Sequence, residues 1–494
     1  MMSARSNDTG NPLVALYDVG TAVYPEPPFH PGFRHPDYSQ PGVSSTPNPV
    51  YEAVRELFRM LGMDEQGYGG PNWNPLGDLI RPGSRVLLKP NLVRHYHPYG
   101  LDPQSLVTSG SLIRAVCDYA LKAAGPDGQV VIADAPLQSC DFASVLKLSG
   151  LDQVAQYYQR IGLPVQVRDL RLVRAVVDRS SVYGKVLVQE KNPGDPLGYT
   201  GLDLGPVSLH AKRSTAAGKY RVTCYDPSRM ERHHGEGRHE YVIANTVLEA
   251  DVVLNLPKMK THHKAGITGA LKNFVGINGH KDCLPHHVQG SAQEGGDEYR
   301  QASWIKSVDS RLLDSKEGVG GLLIKKGMAL AHKILYAAHM RQDGNGYWEG
   351  SWYGNDTISR TTVDLNRIVR YAARDGSLCP QPQRTVFSIV DGIIAGDRDG
   401  PLAPTPRPAG MLLAGFNPVA VDLAMARIMG FRHQAISTLR HALDREHDYP
   451  LVNFQACDLR TISNQRQWCG MDPNQPGAHL GFVPHKGWRG HIEL

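Results

Sequence analysis

The stretch ADVVLNLPKMKTHHKAGITGALKNFVGI, residues 250–277, joins two kinds of sequence. Val252, Val253, Leu254 and Leu256 make a short apolar run ended by Pro257, which predicts a buried strand over 250–257. Lys258, Lys260, His262, His263 and Lys264 follow at once. Residues 265–277 then read as a helix that places Thr268, Lys272 and Gly276 on one face. Gly266 and Gly269 leave backbone accessible at its start, where free N–H groups and the helix dipole favour an anion.

The same alternation runs outward in both directions. Strands are expected over 12–20, 83–93, 128–136, 163–170, 385–393 and 409–415. Helices are expected over 48–63, 109–125, 142–162 (as two pieces), 357–371 and 417–430. The helix over 109–125 carries a serine cap and a glycine stop. Near-continuous apolar strands alternating with helices predict an α/β fold with a mostly parallel, Rossmann-like sheet and helices on both faces. The core is placed at 12–430, with insertions at about 176–239 and 283–350. Residues 431–494, rich in Pro and Gly, read as an irregular C-terminal extension.

In such a sheet, ligands bind beyond the carboxyl ends of the strands. Lys89, Asn91, Asp134, Lys258, Lys260 and Asp391 all fall at predicted strand ends. Lys89, Lys258 and Lys260 are therefore candidates to hold an anion, together with Asn91, Gly266, Thr268, Gly269 and Asn273. Asp134 and Asp391 would orient donors or hold a divalent metal. Lys272, on a mostly apolar helix, would be a base or an amine nucleophile if burial lowers its pKa. His262, His263 and His280 are candidate acid–base groups. Imidazoles, with His286–His287 and Cys283 close in sequence, also suit a transition metal, though their spacing matches no standard zinc motif. A solvated basic loop is the alternative reading of the lysine run. His233–His234, in the polar insertion, read as surface. Asp356 would cap the helix over 357–371, with Arg360 and Asp364 as an i,i+4 ion pair. The functional alternative turns Asn355 and Arg360 toward the crevice.

Other classes are excluded by what is missing. The chain of 494 residues has 53 Lys and Arg against 48 Asp and Glu, a net charge of +5. That is small for the length, and no basic block interleaves with aromatics, so nucleic acid is not an expected partner. There is no Walker loop, no GxGxxG and no GxSxG. The seven cysteines, Cys117, Cys140, Cys224, Cys283, Cys379, Cys457 and Cys469, form no CxxC, so there is no local iron–sulfur motif. Scattered thiols and the lack of a secretory h-region or membrane-length apolar run predict a cytoplasmic protein. The basic amphipathic stretch 318–340 reads first as a helix packed on the sheet, with a membrane surface as the alternative.

LLKPNLV, IADAP, the 250–277 stretch, WYGNDTISRTTVDLNRI, SIVDGIIAGDRDGPL and NPVAVDLAMARIMGF together resemble the domain-of-unknown-function 362 family over about residues 83–430. The resemblance implies an α/β fold; the biochemistry of that family is largely unassigned. Many of its members carry ferredoxin-like cysteine motifs, which this chain lacks. More distantly, GITGALKNFVGINGHKD is similar to the lysine-bearing segment of the nickel-pincer lactate racemase family. That likeness aligns Lys272 with a lysine that tethers a nickel cofactor and sets His280 near a histidine position. The expectation is an enzyme acting on a carboxylate or phosphate, isomerase- or racemase-like or an oxidoreductase. Lys272 and the histidines would perform acid–base or redox chemistry. A metal- or cofactor-binding carrier without turnover, and a membrane-surface protein using 318–340, are the alternatives.

Overall fold

The structure is a computed structural model that describes residues 9–178, 186–213, 216–222, 226–316, 327–328, 330–335, 337–338, 349–475 and 477–494. Its centre is a ten-stranded sheet. The strands are β1 (Leu13–Asp18), β2 (Arg85–Pro90), β3 (Gln129–Asp134), β4 (Val165–Asp169), β5 (Val252–Leu256), β6 (Lys258–His262), β7 (Gly266–Thr268), β8 (Thr385–Asp399), β9 (Ala403–Gly415) and β10 (Arg460–Ser463). They lie in the order β10-β1-β9-β8-β5-β2-β3-β4, with β6 paired to β7 and to the far half of β8. Strands β8, β5, β2, β3 and β4 are mutually parallel, and β9 is the antiparallel neighbour of both β8 and β1.

The helices are α1 (Pro49–Met60), α2 (Gly110–Ala124), α3 (Phe142–Ser149), α4 (Leu151–Arg160), α5 (Ala270–Asn273), α6 (Thr357–Tyr371) and α7 (Pro418–Met429). Ser109 accepts the Ser111 N–H at the start of α2, and Gly125 closes it at φ 68°, as its sequence predicts. The two-residue period of the strands feeds a core on each face. Val86, Leu88, Ile132, Val252 and Leu254 pack against α1–α4. Leu87, Val131 and Val253 point the other way, toward Leu365 and Ile368 of α6. Leu271 of α5, Val363 of α6 and Leu423 of α7 share a third cluster with Val14, Leu16 and Leu413. The α/β fold with a largely parallel sheet and helices on both faces is as expected.

Four local expectations change. Residues 265–277 are not one helix: β7, the single turn α5 and a 3₁₀ turn over Phe274–Ile277 divide the stretch. Thr268, Lys272 and Gly276 therefore do not share a helical face; three glycines in eleven residues leave no run long enough to propagate a helix. The 176–239 insertion does not stand apart. Tyr199–Asp203 pairs with Arg238–Ala244, and Leu202, Tyr241 and Ile243 join the α6-side core. His234, expected at the surface, is fully buried, with its ring centroid 5.8 Å from His239 and 6.0 Å from His210. The segment after 431 is irregular but integral. It adds β10 beside β1 and plants Trp468, Phe482, Trp488 and Ile492 in the core. Its anchors are too widely spaced to produce a period. Most of the 318–340 stretch lies outside the described residues, and among those described no helix is long and apolar enough to cross a membrane.

Two buried ion pairs tie strand ends together. Lys89 Nζ lies 2.6 Å from Asp134 Oδ1, joining β2 to β3. Lys258 Nζ lies 3.1 Å from Asp391 Oδ2, and all four side chains are at most 3% exposed. Tyr24 donates to Asp391 at 2.6 Å and accepts from Lys258 at 2.7 Å. Truncating one partner strands a charge in a dry interior, whereas replacing both does not. Asp391→Ala is expected to cost about 3–5 kcal/mol in urea unfolding. The double replacement Lys258→Met with Asp391→Leu should cost less than Asp391→Ala alone.

Candidate functional site

The floor of the site is a relay of buried amides across the strand ends. Asn255 donates to Ser388 Oγ at 3.2 Å and to the Ala270 carbonyl at 2.9 Å. Asn273 donates to Asn255 Oδ1 and to the Lys89 carbonyl, both at 2.8 Å. Asn91 donates to Asn273 Oδ1 at 3.1 Å. Lys260 closes the relay, donating to Asn91 Oδ1 at 2.7 Å and to the Leu106 carbonyl at 2.6 Å. Each link joins a different strand or loop, so the relay fixes β2, β5, β8 and α5 to one another.

The run Lys258–His262, expected as a loop, is strand β6. Beyond Pro257 the chain simply continues alongside β8, with Lys258 opposite Asp391. Alternation then sends Lys258, Lys260 and His262 to one face and Met259 to the other, where it joins the α7-side core. In the turn back to β7, Gly266 pairs with His262 at φ 79°. The Trp488 ring lies 3.1 Å from where a β-carbon at residue 266 would be, and its indole donates to the His263 carbonyl at 2.6 Å. No larger residue fits there.

The backbone amides expected to receive an anion at the helix start are already engaged. Asp422 of α7 accepts the Ala270 and Leu271 N–H groups at 2.6 and 3.0 Å. Burial pushes its carboxyl up to about 7. Asp134 and Asp391, weighed as metal ligands, instead face ammonium groups and backbone amides: Leu92 N–H donates to Asp134 at 2.6 Å and Ser109 N–H to Asp391 at 2.9 Å. Among the described residues no group of three or more His, Cys, Asp or Glu side chains is arranged to hold a metal ion. Lys89 and Lys258 are thus neutralised within the protein.

What remains is a cluster of buried basic groups with no acid inside it. Lys272 is 8% exposed, and among the described residues its ammonium has no hydrogen-bond partner. Burial, together with the Lys281 and Lys264 charges, pulls it down from 10.5 to about 7. Burial and the Lys258 charge hold Lys260 well below the usual lysine range. Burial, then the Lys272 charge, holds His262 well below 6.5; His263 and His286 are lowered likewise, by burial first and Lys264 next. These imidazoles are neutral at neutral pH. Thr268, cross-strand from Lys260, is 3% exposed and its hydroxyl has no partner.

Lys260, His262, His263, Thr268 and Lys272 thus come together, with Asn91 and Asn273 beneath them. His280 turns away; after burial, the groups acting on it are Arg229 and His233. Asn355 braces the backbone, donating to the carbonyls of His286 and Gly350. Arg360 pairs with Asp356 at 2.5 Å, not with Asp364, which accepts from Ser208 and Tyr241. Asp297, not Asp356, accepts the Thr357 N–H. Sequence reasoning missed Lys281, Asn255, Asp422, Tyr24 and Trp488. Asn255 alone carried a signal, as the one polar residue inside the VVLNL strand.

A family model described as "Domain of unknown function (DUF362)" matches residues 167–427, more than half of the chain. No curated protein matches it.

The lowered Lys272 makes a test with a definite sign. The unfolded chain keeps this proton up to about 10.5, the folded chain only to about 7. The unfolded state therefore binds more protons between those values, so this group's contribution to stability rises with pH across that window. Its cost is fully present below it. Lys272→Met should stabilise the ligand-free protein by about 1–4 kcal/mol at pH 6. The gain in urea midpoint should shrink steadily as the pH is raised to 9.

Proposed function

The chain belongs to the DUF362 family, and from that premise we propose that it is an enzyme for a small carboxylate- or phosphate-bearing substrate. The substrate would be held above the strand ends, with Lys272 at its centre. One observation carries the reading: a buried ammonium surrounded by other basic groups, without an acid to balance it. Such an arrangement costs stability unless a negative guest completes it. Two other lysines nearby already have aspartates, so the missing counter-charge at Lys272 is local. Lys260, satisfied only by neutral oxygens, and the unpartnered Thr268 hydroxyl would share the anion. The neutral imidazoles of His262 and His263 would move protons to and from the carbon beside the anionic group. Proton abstraction at that activated carbon is the reaction this supports best. Among the described residues every cysteine is free, in keeping with a reducing, cytoplasmic setting.

Sulfate and glycolate, which stay fully ionised from pH 6 to 9, are suitable probes. Calorimetric titration is expected to give one site whose affinity falls as the pH rises through about 7, because Lys272 then loses its charge. Lys272→Met should weaken binding about 10–100-fold, the value of one charge-assisted hydrogen bond. Binding that ignores both the pH and the substitution would rule this site out.

A further inference from the structure

Resting on that reading of the site, we propose that Lys272 bonds covalently to a carbonyl carbon of its guest. The substrates are then small oxo acids or aldehydes that carry a carboxylate or phosphate. The argument starts from how the buried lysines are used. Lys89 and Lys258 are locked as ammonium groups by Asp134 and Asp391. Lys260 spends its protons on Asn91 and the Leu106 carbonyl, and Lys281 donates to the Ala135 carbonyl at 2.8 Å. Lys272 alone of these five has no acceptor among the described residues. Nothing there ties down its lone pair or rewards its charge. Desolvation and neighbouring cations are the two ways in which proteins make a lysine a nucleophile, and this residue has both. The same cations would hold the carboxylate or phosphate and so present the carbonyl to the amine.

The step balances without another reactant. The amine nitrogen bonds to the carbonyl carbon as the C=O π pair moves onto oxygen. One N–H proton passes to that oxygen, giving a carbinolamine. The second follows as the C–O bond breaks, so water leaves and a C=N bond remains. Nothing is oxidised or reduced. Neutral His262 and His263 carry the protons from nitrogen to oxygen. The imine draws electrons from the adjacent carbon, which activates a proton there for removal.

The test treats the full chain with glyoxylate or glycolaldehyde phosphate in the presence of sodium borohydride. Intact mass and peptide mapping then locate any reduced adduct. One adduct is expected, on Lys272 and absent from Lys272→Met. Its initial rate should rise about tenfold from pH 6 to pH 8, as the neutral amine appears. Glycolate, which has the carboxylate but no carbonyl, should slow trapping and leave no adduct. If glycolate binds and neither carbonyl compound marks Lys272, the imine is overturned while the anion site stands. Equal labelling of Lys272→Met also overturns it. If none of the three compounds binds, both readings fall together.

Discussion

Lys89 and Lys258 each meet an aspartate within about 3 Å, Lys260 meets two neutral oxygens, and Lys272 meets only other cations. All four are buried within the same group of strand ends. The cost of taking an ammonium out of water is several kcal/mol unless something nearby compensates it. That cost is met in full twice, in part once, and not at all at Lys272. The unequal treatment separates framework from site. The two ion pairs hold β2 to β3 and β6 to β8, and the amide relay holds those strands to α5. The framework is satisfied internally, which leaves the uncompensated charge confined to one place.

Much of the framework was legible because it depends on local pattern. The serine before α2 and the glycine after it, and the asparagine and proline that begin α1, acted as their chemistry requires. The apolar runs at β2, β3 and β5 marked the sheet. Lys258–His262 was harder. Its alternation was present, but a strand is recognised by an apolar face, and here the inward residues were two lysines and a histidine. Their burial is possible only because Asp391, Asn91 and the Leu106 carbonyl wait for them, more than 130 residues away in every case. No window along the chain contains that information.

The basic cluster shows the same limit from the other side. Counting lysines found Lys272, yet counting could not tell Lys272 from Lys258, since what distinguishes them is the presence or absence of a carboxylate across space. Gly276 illustrates the point. A β-carbon there would lie 2.1 Å from Asp134 and 2.6 Å from the Lys89 ammonium. Read in sequence it was a helix residue sharing a face with Lys272; in the fold it is the gap through which an ion pair closes.

The segment after residue 430, beyond the family match, belongs to this logic. Trp488 fills the space that Gly266 leaves open and fixes the His263 carbonyl, while the His485 ring lies 5.9 Å from that of His263. Bulky rings at this position keep water from the turn between β6 and β7. A drier turn lowers the local dielectric, which depresses the Lys272 ammonium further and strengthens its attraction to any anion that enters. The two effects have one cause, so a site that makes its central amine reactive by drying also grips its guest more firmly. The C-terminal segment is therefore a wall of the site, built by a part of the chain that carries none of its charged groups into the basic cluster itself.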